Sequence, residues 1–197
     1  MKRLQNVFIL LASLILSATA YASPSEGKQY TLLEKPYSTE YQVDKFFSLT
    51  CMPCWQMTEL LKDKEGSGEL ELHRTHVIFN DSTLQAAGIY YTVLAQKPVL
   101  SHELLSELFS LVQTKNPLQE TDIDAFFEEH NLVKQEGMTQ DQQQQWAKFM
   151  EDAVTKTEQA SISSIPSFII NGRYMVKLRG HRSMEELLET IQYLKEQ

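Results

Sequence analysis

Cysteine is nearly absent: Cys51 and Cys54 are the only two in 197 residues. Two thiols cannot build the multi-bridge framework of a stapled exported domain, and a structural zinc site usually needs four ligands. His73 and His76 would complete such a set on paper, but the spacing matches no finger or ribbon, and no metal is expected. Basic residues are also short, 18 against 26 acidic, for a formal net charge of −8. That balance argues against nucleic acid and anionic membrane as partners. Beyond the first residues there is no long apolar run, so no stable membrane anchor is expected. No internal repeat is visible.

What is present begins with a leader. Lys2 and Arg3 precede a mostly apolar run from Val7 to Leu16, and Ala20-Tyr21-Ala22 places small residues at both positions of a cleavage site. Residues 1–22 therefore read as a secretory signal peptide, cut after Ala22. Loss of Lys2 and Arg3 takes the formal charge from −8 to −10. The remaining chain, roughly 175 residues, is long enough for one domain with a real core. A short acidic chain behind such a leader suggests a Gram-negative periplasm.

The chain is organised around Lys45-Phe46-Phe47-Ser48-Leu49-Thr50-Cys51-Met52-Pro53-Cys54. Apolar residues precede the cysteines, as in a strand. Met57, Leu60 and Leu61 follow at helical spacing. A Cys-x-x-Cys pair at a strand-to-helix turn is a thiol–disulfide exchange motif. The first cysteine meets unpaired N–H groups and the positive end of the helix dipole, which favour thiolate over thiol. Such sites lower a thiol pKa from about 8.5 to roughly 3.5–7.5. Thiolate attacks, and a stabilised thiolate also leaves well. A purely structural disulfide fits poorly, because it would close a very small loop.

Along the chain, residues 29–32 read as a first strand and 41–48 as a central one, with Val43, Lys45 and Phe47 on one face and Asp44 and Phe46 on the other. A helix follows from about Cys51 to Lys64, ended by Gly66-Ser67-Gly68, and a strand from Leu72 to Phe79 completes a β-α-β unit with parallel strands. Residues 82–160 read as helices: Leu84 to Leu94, broken by Pro98; the stripe Leu104, Leu105, Leu108, Leu111 and Val112; a start at Thr121-x-x-Asp124 burying Ile123, Phe126 and Phe127; and a longer helix opened by Thr139-x-x-Gln142, burying Trp146, Phe149, Met150 and Ala153. Strand signal returns at Ile162 to Ile170. Asn171-Gly172 is a two-residue hairpin turn, Arg173 to Lys177 the return strand, and Ser183-x-x-Glu186 the capping box of a terminal helix. His102, His130 and His181 read as solvated.

With these elements in place the chain resembles the DsbA-type thiol–disulfide oxidoreductases over nearly all of its length beyond the leader. Three stretches carry the resemblance: Gly27 to Pro36; Phe46-Phe47-Ser48 leading into Cys51-Met52-Pro53-Cys54; and Ile165-Pro166 followed by Asn171-Gly172-Arg173-Tyr174. It implies an α/β chain, a thioredoxin fold interrupted by an all-helical domain. The parts are then 23–81 and 161–197 for the thioredoxin-like domain and 82–160 for the insertion. It implies that Cys51 is the exposed nucleophile, that Cys54 is its buried partner in a redox-active disulfide, and that Ile165-Pro166 is a cis-proline loop facing them. Met52, Pro53, Ile165 and Pro166 would then line the substrate site, Pro166 offering backbone groups to an extended segment. No cofactor is implied. The implied partners are thiol-bearing exported proteins and a DsbB-type membrane reoxidant, with the protein itself a monomer.

Two departures stand out. Met52-Pro53 replaces the family's usual Pro-His dipeptide, which removes a donor to the thiolate and predicts a weaker oxidant. Lys45 occupies a strand position where the family usually carries a buried acid; it would either stay charged and favour thiolate or be neutralised by desolvation. Three functions compete: an oxidase that introduces disulfides, a reductase or isomerase on the same scaffold, and a peptide-binding folding factor with an apolar groove near Met52, Ile165 and Leu178.

Overall fold

The computed structural model describes residues 23–115 and 117–197. The leader expected at 1–22 lies outside the described residues. The elements are β1 (Tyr30–Leu32), β2 (Val43–Phe47), α1 (Met52–Gly66), β3 (His73–His76), α2 (Asp81–Gln96), α3 (His102–Thr114), α4 (Glu120–Glu129), α5 (Gln140–Gln159), β4 (Ser167–Ile170), β5 (Tyr174–Val176) and α6 (Met184–Lys195). After the first strand, the expected order of β-α-β, a helical block and β-β-α is the order observed.

The strands form one mixed sheet in the order β1-β5-β4-β2-β3. The α1 crossover makes β2 and β3 parallel, as the handedness and length of a β-α-β unit demand, and the other pairings are antiparallel. β2 lies between β4 and β3, and all five of its residues are buried. Alternation along it divides the molecule. Val43 packs with Phe168 and Ile170 under Leu61 of α1 and Leu187, Ile191 and Leu194 of α6, whereas Phe46 packs on the other face with Ile169, Ala160 and Ile162. Phe47 and Leu49 join Cys54 to the helical block through Leu105, Leu108 and Phe109 of α3 and Phe126 and Phe127 of α4.

Several expectations need correcting. Leu60 is not on the buried face of α1; it is 63% exposed. The inward positions are Cys54, Thr58 and Leu61, a helical i, i+4, i+7 set that admits a polar residue because Thr58 has a buried partner on β2. The cap of α4 is Gln119, two residues before the expected Thr121. The N–H of Gln119 donates to the Asp122 carboxylate at 3.0 Å, and Thr121 sits inside the first turn. The capping box at α6 is only half formed. Ser183 accepts from the Glu186 N–H, but the Glu186 carboxylate accepts from the N–H and Nε of Arg182 instead. The strand expected over 72–79 is trimmed to four residues, and α2 begins three residues early on an unforeseen Asn80–Thr83 capping box.

Candidate active site

The turn between β2 and α1 is built from local hydrogen bonds. Ser48 Oγ accepts from the Thr50 N–H at 3.1 Å, and the Cys51 N–H donates to the Ser48 carbonyl at 3.0 Å. Tertiary contacts then fix Leu49 from both sides. Its N–H donates to Nε2 of His76 on β3 at 2.9 Å, and its carbonyl accepts from Nε2 of Gln113 on α3 at 2.8 Å. The other His76 nitrogen, Nδ1, donates to the Val77 carbonyl at 2.9 Å, which leaves Nε2 unprotonated and able to accept. Burial holds His76 neutral by pulling its pKa down to about 3.

This turn delivers Cys51 to the N-cap of α1. Its Sγ accepts from the Cys54 N–H at 3.1 Å, and Pro53 in the first turn removes one N–H that would otherwise lack a partner. No acidic side chain occupies the first turn of α1 to oppose the dipole. Cys51 and Cys54 are joined by a disulfide. Cys51 is half-buried and Cys54 has no exposed surface. The pair is therefore graded, with one sulfur reachable and the other sealed against Leu49 and the α3 helix.

The Ile165–Pro166 peptide is cis, and the Ile165 carbonyl oxygen lies 3.9 Å from Cys51 Sγ. Met52 is 49% exposed and Pro53 is also exposed, so both flank the reachable sulfur. The structure thus brings Cys51, Cys54 and Ile165-Pro166 together, with Met52 and Pro53 on the outer rim. Thr50, Met52, Val112, Gln113, Lys115 and Leu118 line a groove of about 360 Å³ beside them. Leu178 packs into the cluster beneath α6.

Other side chains hold the platform. The Trp55 ring stacks on Phe109 at 5.9 Å between centroids, and its Nε1–H donates to Ser106 Oγ at 3.0 Å, tying α1 to α3. His102 pairs with Glu59 and His130 with Glu107, and His181 Nε2 lies 2.9 Å from Thr190 Oγ1; these histidines are paired and half-buried, not solvated. His73 and His76 lie three residues apart on β3 and face opposite sides of the sheet. His73 pairs with buried Asp44, and His76 serves the active-site turn. Lys45 lies wholly inside, below α1, with Nζ donating to Thr58 Oγ1 at 2.7 Å. Sequence reasoning missed Thr58, His76 and Gln113. Their partners are 13, 27 and 64 residues away, beyond any local pattern.

The comparisons with known proteins agree with this arrangement. The family described as Thioredoxin matches residues 38–192. The thiol:disulfide interchange protein DsbA of Escherichia coli K12 is 26% identical over 212 residues, covering 98% of this chain and 99% of that one. Its counterpart from Salmonella typhimurium LT2 is 28% identical over 213 residues, covering 97% and 98%. Among solved structures, DsbA from Proteus mirabilis superposes with a TM-score of 0.67 at 22% identity, over 88% of this chain and 96% of its own. DsbA from Pseudomonas aeruginosa does so with a TM-score of 0.67 at 20% identity, over 91% and 95%. With its mixed sheet, its helical insertion and its paired cysteines at a helix start, the chain belongs to the thioredoxin family, as a DsbA-type thiol:disulfide oxidoreductase.

Proposed function

We propose that the protein is a periplasmic oxidase that introduces disulfides into exported proteins through Cys51 and Cys54. The observation that carries this reading is the placement of Cys51: half-buried at the N-cap of α1, its Sγ accepting from the Cys54 N–H, with the Ile165 carbonyl 3.9 Å away. A substrate thiolate attacks Cys51 Sγ, the Cys51–Cys54 bond breaks and Cys54 leaves as thiolate. A second substrate thiolate then attacks the substrate sulfur of the mixed disulfide, and Cys51 leaves, stabilised by the helix start. Two electrons pass from substrate to enzyme. Met52, Pro53, Ile165 and Pro166 form the surface on which the substrate segment lies. A peptide bound to a DsbA variant from Proteus mirabilis, a protein of this fold, supports such docking. Reoxidation falls to a DsbB-type membrane partner, the protein acts as a monomer, residues 1–22 direct it to the periplasm, and 82–160 form the inserted domain.

Equilibration with glutathione tests the assignment. An oxidase gives a reduction potential well above about −270 mV, the value of a cytosolic dithiol reductant, and Cys51→Ser abolishes disulfide transfer to a reduced peptide. A potential at or below that of the reductants overturns the oxidase role.

A further inference from the structure

Lys45 has no exposed surface. Its Nζ donates to Thr58 Oγ1 at 2.7 Å, and the Thr58 hydroxyl donates in turn to the Cys54 carbonyl at 3.0 Å. Both links are inside the protein, directly beneath the sealed cysteine. A buried ammonium is costly unless it is paired with an anion. Among the described residues no carboxylate forms an ion pair with Lys45. The carboxylate whose charge reaches it, Glu65 in the last turn of α1, pairs through Oε2 with Arg74, the neighbour of Lys45 on β3. With Lys45 protonated, two cations and one carboxylate would sit under α1, one negative charge short.

The missing charge is the one the reaction creates. Neither sulfur is charged in the disulfide, whereas reduction leaves a thiolate at the start of α1. We propose that Lys45, acting through Thr58, is the redox-linked counter-ion of this site: it takes up a proton when the disulfide is reduced and gives it up when the disulfide re-forms. The proposal rests on the oxidoreductase reading above. Disulfide and neutral amine gain two electrons and two protons from the substrate dithiol. The products are the Cys51 thiolate, the Cys54 thiol and the Lys45 ammonium, with no net charge added to the interior. Lys45 touches neither reacting sulfur and is a positioning residue.

The surroundings suit this role. In the disulfide state, burial pulls the Lys45 ammonium down to about 7, with the like charge of Arg74 helping and Glu65 opposing. Two neighbouring ionisable groups are held out of that range. His76 on β3 is held neutral down to about 3, the Tyr90 phenol on α2 is pushed up to about 12 chiefly by burial, and Phe168, the partner of Lys45 on β4, is apolar. Arg74 and Glu65 also line a cleft of about 520 Å³, together with Lys62, Asp63, His102 and Glu103, so the ion pair beside Lys45 borders the surface.

The test uses Lys45→Met and Lys45→Gln, the second retaining a hydrogen-bond donor to Thr58 without the charge, with circular dichroism to establish folding. Two readouts are taken: the Cys51 thiolate titration by ultraviolet absorbance, and the equilibrium with glutathione as a function of pH. Both variants are expected to raise the thiol pKa by about one unit, and the equilibrium is expected to move about tenfold, about 30 mV, toward the disulfide. Above about pH 7 the wild-type equilibrium should change an additional tenfold per pH unit, because one more proton accompanies reduction, and both variants should lose that extra slope. Folded variants with wild-type titration and slope overturn the proposal, as does a shift in Lys45→Met that Lys45→Gln rescues, since that would make the hydrogen bond and not the charge responsible. If the wild-type protein itself exchanges no disulfide with glutathione, the oxidoreductase reading has failed and this proposal falls with it.

Discussion

At the scale of single residues, His76 shows how one buried side chain couples the active-site turn to pH. Its folded pKa of about 3 lies below the ordinary 6.5, so between those values the unfolded chain binds a proton that the folded one does not. The stability it contributes is fully present above about 6.5 and is lost as pH falls toward 3. The loss approaches about 1.4 kcal/mol per pH unit within that window. We expect the urea midpoint to fall between about pH 7 and pH 4.5, and to fall less in His76→Gln, whose amide oxygen can still accept from the Leu49 N–H. Carboxylate titrations are common to both proteins, so the difference between them isolates His76. Equal slopes would mean that the imidazole is not kept neutral by the fold.

At the scale of elements, the β4–β5 turn gives the sharpest expectation. Asn171 and Gly172 have φ of 52° and 62°, the pattern of a type I′ hairpin, and the Arg173 N–H closes it on the Ile170 carbonyl at 2.9 Å. A Cβ on Gly172 would come within 2.1 Å of the Tyr37 carbonyl oxygen, on a segment tied to the turn by the Tyr37 N–H, which donates to the Gly172 carbonyl at 3.0 Å. Gly172→Ala should cost roughly 1–3 kcal/mol from backbone strain, with the clash adding to it. Gly66→Ala, where a Cβ meets nothing within 4 Å, should stay within about 0.5 kcal/mol of wild type in the same denaturation experiment. This turn was legible because its chemistry is local: two residues prefer the αL region, and strand-forming Ile169-Ile170 and Tyr174 lie close on either side. The Thr139 cap of α5 and the Cys51–Cys54 turn were legible for the same reason. The inward face of α1 was not. Its polar member, Thr58, is buried for the sake of Lys45, and the Met57-Leu60-Leu61 spacing pointed at a leucine that faces solvent. Likewise His73 and His76 look alike in a sequence, and only the sheet shows that one serves Asp44 and the other Leu49.

At the scale of the whole molecule, the question is whether the inserted helices form a separate body. The hydrophobic cluster answers through its membership. Phe47, Leu49 and Cys54 from the sheet and active-site turn share it with Leu105, Leu108 and Phe109 of α3, Phe126 and Phe127 of α4 and Ala153 of α5. Pulling the helices away would expose both sides of that contact at once, and at about 25 cal/mol per Å² neither side can offset the loss alone. The disulfide therefore sits at the seam between the two parts, and its sealed side is made by the insertion. One cooperative transition is expected, not two. The two tryptophans make this measurable, because Trp55 lies on α1 and packs on Phe109, whereas Trp146 lies on α5 and its Nε1–H donates to the Gly88 carbonyl at 3.3 Å. In the single-tryptophan proteins Trp55→Phe and Trp146→Phe, the fluorescence transition in urea should coincide with the loss of helical circular dichroism measured on the same protein. If Trp146 reports a separate, earlier transition, the insertion unfolds independently, and the seal over Cys54 is weaker than the shared core implies.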